Sequence, residues 1–291
     1  MDLFVNPKLS HAEQLRPLDA HIGKLLMDAG KLSAVDVKRI IAVQKEEGLR
    51  FGEAAISTGL VEENDILRAL SVQFEYPHIP SDCPLNKKLV LASQPFSARA
   101  EAFRALRSQL LLGWFGGRKK LLAVSSARKG EGSSEVAANL AIAFAQLGEK
   151  TLLIDADMRN SGQYALFNFK PAAGLSNLLA GRGSLMDSVE YVDQIGALAI
   201  LCSGAQPPNP QELLCRPAFA SLLREAAEAY DVIIIDTPPA LESADAQVIA
   251  AITGGSLLVA RRHQTRVREL QQIKDQFAQV GITAIGAVVI D

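Results

Sequence analysis

From residue 121 onward the chain alternates between two patterns. Short runs are apolar at nearly every position: Leu121–Ser125, Thr151–Ile154, Leu198–Cys202, Val232–Ile235, Ser256–Ala260 and Ala284–Ile290. Between them, 134–147 (rich in alanine), 210–230, 244–252 and 265–280 read as helices. A strand without polar alternation is one covered on both faces. The order therefore predicts an α/β fold, a parallel sheet with helices on both faces. On such sheets ligands bind at the carboxyl ends of the strands. One more helix is predicted over 97–112, where Phe103, Leu106, Leu110 and Leu111 keep core spacing.

Before residue 97 the pattern is different and repeats. His21-Ile22-Gly23-Lys24-Leu25-Leu26 is echoed by Arg50-Phe51-Gly52-Glu53-Ala54-Ala55 at a shift of 29 residues, and the same shift carries Gly30 onto Gly59, Leu32 onto Val61 and Asp36 onto Asp65. Each copy reads as a short helix, a glycine stop and a longer helix, with Ser33 and Glu63 or Asn64 where the longer helix begins. Two copies can bury their apolar faces on one another, so a small all-α domain is expected over 19–76. A flexible arm (1–18) precedes it and a proline-containing linker (77–96) follows, leaving 97–291 for the sheet-containing domain.

Composition narrows the class. Of 291 residues 48% are hydrophobic and 21% charged, enough apolar material for two cores. A net charge of −2 argues against a nucleic-acid binder. The three cysteines, Cys83, Cys202 and Cys215, form no CxxC pair, so reduced, mostly buried thiols are expected and no metal site. The opening MDLFVNPKLSHAEQ has no apolar run and predicts no signal peptide, and no apolar stretch approaches the roughly 20 residues of a membrane helix. A cytoplasmic protein is expected.

Three segments carry candidate chemistry. The first apolar run opens into Ser126-Ala127-Arg128-Lys129-Gly130-Glu131-Gly132-Ser133-Ser134-Glu135 and then a helix. Glycines let a backbone curl its N–H groups toward phosphate oxygens, and a helix N-terminus adds its positive dipole. Arg128 through Glu135 are therefore the candidate nucleotide-binding residues, with Ser134 where a hydroxyl would hold magnesium. The second run ends in Asp155-Ala156-Asp157-Met158-Arg159, and Val232–Ile235 ends in Asp236-Thr237-Pro238-Pro239. Carboxylates have no structural reason to finish central strands, whereas a magnesium–phosphate site wants them there.

Together, GEGSS, LLIDADMRN and VIIIDTPPALESADA resemble the deviant-Walker P-loop ATPases, and among them the bacterial tyrosine kinases (BY-kinases) of capsule and exopolysaccharide synthesis. Glu101, Arg104 and Arg107 match the ExxRxxR helix that such kinases use to self-associate, and Leu201–Leu214 looks like their stretch between the acidic strands. The front repeat is similar to the small helical domain of type II secretion and pilus ATPases, and the two parts together look most like the EpsG-type kinase of exopolysaccharide chain-length control. The resemblance implies ATP and Mg2+ as ligands, with Ser134, Asp155 and Asp236 ordering the metal. Asp157 would be the base, and Arg159 would pair with phosphate or hold Asp157, unless it is a surface ion pair. Asp245 supports the site or caps a helix. The resemblance also implies a homo-oligomer, and recruitment to the inner membrane by a chain-length determinant protein that activates the kinase. In the front repeat Arg50-Phe51-Gly52 matches the start of a cyclic di-GMP motif that His21-Ile22-Gly23 lacks; docking is the favoured role.

Two departures from the family stand out. Ser133 occupies the position of the phosphate-gripping lysine, and a missing donor of this kind commonly costs about two to three decades in rate. Arg128 falls where these ATPases carry an extra lysine that reaches across a dimer, and either compensates or is a solvated charge. The other departure is that the chain stops at Val288-Val289-Ile290-Asp291 without the tyrosine cluster typical of the family, leaving Tyr76, Tyr164, Tyr191 and Tyr230. Tyr230 is expected to pack in the core. Tail phosphorylation is not expected in this chain. Two readings remain open, an active kinase and a catalytically weak assembly subunit.

Overall fold

The computed structural model describes residues 17–73, 85–117, 119–170, 173–192 and 195–291. Most of the expected arm, Tyr76 and Cys83 lie outside the described residues. The chain divides into two compact units, Met1–His78 and Ile79–Asp291.

In the first unit four helices, α1 (Pro17–Asp28), α2 (Ala34–Glu47), α3 (Phe51–Ser57) and α4 (Glu63–Gln73), share one apolar cluster. The 29-residue shift is visible in their caps. Gly30 and Gly59 both follow a helix with φ of +68°, and Asp36 and Asp65 each accept the backbone N–H three residues upstream, at Ser33 (2.8 Å) and Glu62 (3.1 Å). The second long helix begins at Glu63 as expected, with Asp65 closing its cap on Glu62. Phe51 is wholly buried, and a Cβ on Gly52 would stand 3.0 Å from Ile66 Cγ2. Two of the three residues matching the dinucleotide motif are thus spent on packing.

The second unit begins with α5 (Val90–Ser93) and α6 (Ala98–Gly113) and continues β1 (Leu121–Ser126), α7 (Ser133–Ala145), β2 (Thr151–Asp155), α8 (Gln163–Phe167), α9 (Leu175–Leu179), α10 (Leu185–Ser188), β3 (Glu190–Tyr191), β4 (Leu198–Leu201), α11 (Pro210–Leu214), α12 (Pro217–Ala229), β5 (Val232–Asp236), α13 (Asp245–Thr253), β6 (Gly255–Arg261), α14 (Val267–Gln279) and β7 (Thr283–Ile290). The sheet runs β3-β4-β2-β5-β1-β6-β7, parallel throughout except for the two-residue edge strand β3. Successive strand residues feed opposite faces. Leu153, Ile234 and Val124 pack with α5, α6 and α7, whereas Leu152, Ile154, Ile233 and Ile235 pack with α12, α13 and α14. This two-sided burial is why the inner strands read as unbroken apolar runs, whereas β7, at the sheet edge, is an apolar run left partly exposed. No helix among the described residues is long and apolar enough to cross a membrane.

The structure corrects four expectations. Residues 85–96 are not wholly linker: Leu89, Val90 and Leu91 are buried, and Asn139 of α7 ties the segment down through Leu91 N (3.3 Å) and Lys88 O (2.9 Å). The helix expected over 210–230 is broken, because Pro217 at the start of α12 holds Arg216 extended (ψ 148°). The sheet also gains β3, too short to leave a pattern. Finally, of the two described cysteines only Cys202 is buried; Cys215 is exposed. Tyr230 is buried as expected, and Tyr191 is exposed.

Candidate nucleotide site

Leaving β1, the backbone turns through Gly130 (φ +86°) and Gly132 (φ +90°), conformations that favour glycine, and enters α7 with Gly132 as its N-cap. Glu131 is buried and fixes the turn from within. Its Oε2 accepts the Arg128 N–H (2.8 Å), and its Oε1 accepts the Thr265 hydroxyl (2.6 Å) from the segment between β6 and α14. Arg128 is held outward by Glu269 of α14, with Nε to Oε1 at 2.9 Å. Each partner stabilises the other's charge: Glu269 raises the Arg128 pKa, and the guanidinium lowers that of Glu269. Ser133 is buried, its Oγ accepting from Ser126 Oγ at 3.3 Å.

The carboxylates meet this loop at the ends of β2 and β5. Asp155 and Asp236 are Cα partners in that parallel ladder, and both are wholly buried. Asp155 accepts from Ser161 Oγ (2.6 Å) and from the backbone N–H groups of Gln163 and Asp157 (3.2 Å each). Asp236 Oδ2 accepts from Gln163 Nε2 (2.8 Å), while its Oδ1 is buried with no hydrogen-bond partner. Burial pushes Asp155 up to about 6. Asp236 is raised well above the usual carboxylate range, first by burial and then by the charge of Asp155, with the Ser134 and Gln163 side chains offsetting part of the rise. Asp157 is also raised by burial; its Oδ1 accepts from the N–H groups of Arg159 (3.1 Å) and Asn160 (2.8 Å).

A cavity of about 330 Å3 brings Lys129, Gly130, Gly132, Ser133, Ser134, Glu135 and Asp157 together above these carboxylates. Five predicted site residues do not line it, and two of these, Asp155 and Asp236, are the buried strand-end pair. Arg128 and Glu131 do not line it; they brace the loop. The Arg159 guanidinium pairs with Asp245, Nε to Oδ2 at 3.2 Å. Asp245 is wholly buried and serves as that partner. Glu135 accepts from Arg99 Nη2 at 3.0 Å.

The α6 residues expected at a subunit interface are also engaged within the chain. Arg104 pairs with Glu101 (3.0 Å) and reaches the Pro95 carbonyl, and Arg107 Nη1 donates to the Ala143 carbonyl of α7 at 3.0 Å. Sequence reasoning missed Asn160, Gln163 and Arg261. Arg261 alone carried a readable signal, a charge ending an apolar strand as Asp155 and Asp236 do.

A glycine loop opening a helix, set beside strand-end carboxylates on a mostly parallel sheet, defines a P-loop nucleotide-binding domain. An AAA domain family model matches residues 119–281. The tyrosine-protein kinase YwqD of Bacillus subtilis (strain 168) is 35% identical over 204 residues, covering 70% of this chain and 86% of that protein. The kinase domain of the Escherichia coli tyrosine kinase Etk superposes with a TM-score of 0.66 at 34% identity, covering 69% of this chain and 78% of that one. The septum site-determining protein MinD from Pyrococcus horikoshii, solved with Mg-ADP, shares the fold at 22% identity, with a TM-score of 0.51 and coverage of 58% and 69%. The chain belongs to the bacterial tyrosine-kinase family.

Proposed function

We propose that this chain is an ATP- and magnesium-binding, kinase-like regulator of exopolysaccharide chain length, polymerisation and export, acting with a membrane chain-length determinant protein. The observation that carries the reading is the meeting of the glycine loop with the ends of β2 and β5. It is supported by the kinase relatives and by the Mg-ADP held on the same fold in MinD.

The residues fit a magnesium ion. Asp236 Oδ1 is a buried acceptor without a donor, Asp155 is its ladder partner, and Ser134 opens the cavity above. Among the described residues no group of three His, Cys, Asp or Glu side chains stands ready to hold a metal. Two carboxylates and a hydroxyl suit magnesium, which keeps several waters and shares phosphate oxygens with its ligand. When bound, the ion offsets phosphate charge. Asp157 then serves as the proton acceptor: both of its backbone bonds fall on Oδ1, leaving Oδ2 to take a proton from a hydroxyl, and burial raises its basicity.

One observation favours a second reading, a catalytically weak subunit that assembles with the membrane partner. Ser133 places no charge between the phosphates, and Arg128, one candidate to compensate, is bound to Glu269. Incubation of the purified chain with magnesium and labelled ATP, beside Ser133→Lys and Asp157→Asn, separates the two. Turnover abolished by Asp157→Asn supports the kinase. No turnover even with the membrane partner, but turnover in Ser133→Lys, overturns it in favour of the assembly subunit.

A further inference from the structure

The cavity over the loop is lined by a cation that belongs to neither the loop nor the predicted site. Arg261 closes β6 at its carboxyl end, and β6 pairs directly with β1, the strand that feeds the loop. Its Nη2 lies 3.2 Å from the place a Cβ on Gly132 would occupy, so the guanidinium lies against the N-cap of α7. Nη1 donates to the Asp291 main-chain oxygen at 3.1 Å, and Nε is buried without a partner.

Other arginines nearby have their charge met. Arg99, Arg128, Arg159 and Arg262 each pair with a carboxylate. No side-chain carboxylate pairs with Arg261 among the described residues; of the other lining cations, Lys88 and Lys129, the latter is bonded to Asn160. A guanidinium that lines a cavity with its Nη2 against a helix N-terminus already favouring anions, and with no side-chain carboxylate on it, is arranged for a polyanion. Its planar donors suit phosphate oxygens.

We propose that Arg261 supplies, from β6, the positive charge to the β- or γ-phosphate of a bound nucleotide that the loop lacks at Ser133. Lys129 adds a second charge at the rim. The site is then built from two adjacent strands, the cradle after β1 and the cation after β6. This inference rests on the nucleotide reading above.

The test is calorimetric titration of the full chain with Mg-ATP and Mg-ADP, comparing the unaltered protein, Arg261→Ala, Arg261→Lys, and Arg261→Ala combined with Ser133→Lys. Arg261→Ala is expected to weaken binding about ten- to a hundredfold, the range of a hydrogen bond to a charged group. Arg261→Lys should retain most of the affinity, and Ser133→Lys should restore what Arg261→Ala loses. Melting curves report whether each variant is folded, and Arg261→Lys keeps the test alive if Arg261→Ala is not. Unchanged affinity in Arg261→Ala overturns the proposal. So does a loss that Arg261→Lys shares in full and Ser133→Lys does not repair, which marks a purely structural role. No binding by the unaltered chain overturns the nucleotide reading itself, and this inference with it.

Discussion

Asp155 and Asp236 stand opposite each other in the β2–β5 ladder, two wholly buried carboxylates at the ends of neighbouring strands. Water is excluded from both, and the charge of Asp155 raises the cost of ionising Asp236. Without a cation this pair destabilises the fold. Asp236→Asn is therefore expected to raise the metal-free melting temperature by about 2–4 °C for each ~1 kcal/mol of repulsion relieved. It should also abolish the further rise that Mg-ATP gives the unaltered chain. Scanning fluorimetry with and without Mg-ATP reads both effects, and a lowered metal-free melting point would show that the pair is not repulsive.

The same pair sets a pH dependence. A carboxyl whose pKa is raised on folding holds its proton more tightly in the native state than in the unfolded one. Its contribution to stability is fully present below the ordinary carboxylate value of 3.8 and is lost as pH rises toward about 6, where Asp155 ionises. The stability difference between Asp236→Asn and the unaltered chain, measured by urea unfolding without metal, should grow as pH rises above 3.8 and shrink as pH falls toward it. A difference that grows on acidification would contradict the assignment.

Gly132 is constrained twice, by its φ of +90° and by Ile290, whose Cδ1 stands 2.3 Å from where a Cβ would be placed. Gly132→Ala is expected to cost about 1–3 kcal/mol from backbone strain alone, before the clash is counted. Ile290→Ala in the same chain should recover the clash but not the strain. Denaturant midpoints of the single and double variants check this.

Arg107 is bonded to the last turn of α7 through the Ala143 carbonyl. Arg107→Ala should lower stability by about 1 kcal/mol or more without changing the mass seen in sedimentation velocity. A fall in mass with unchanged melting would return Arg107 to the subunit interface that its motif suggested.

Phe51→Ala should cost the helical unit about 3–5 kcal/mol, seen as lost amide protection over residues 17–73. Because Phe51 and Gly52 are committed to packing, titration of the unaltered chain with cyclic di-GMP should release no heat.

The sheet, its two-sided cover and the strand-end aspartates were legible because each leaves a local mark: an unbroken apolar run, or a charge where a buried strand stops. The helical repeat was legible through its glycines and its paired Asp36 and Asp65. What escaped depends on distant partners. Leu89–Ala92 looks like linker until Asn139 of α7 is brought against it. Arg128 and Arg159 read as site cations because sequence proximity places them there, yet Glu269 and Asp245, far along the chain, take their charges. Gln163 had no pattern at all, although it bonds Asp236 and closes the carboxylate cluster.

The strut from Glu131 to Thr265 has a consequence for how such domains are found. It fixes the turn through residues other than the one at position 133. Motif scans keyed on the phosphate-gripping lysine would pass over chains of this kind. A better search string is a buried glutamate between two left-handed glycines, with a hydroxyl residue just past a later strand that ends in arginine. Chains that match it but lack the lysine would form a natural panel for measuring nucleotide affinity without that charge.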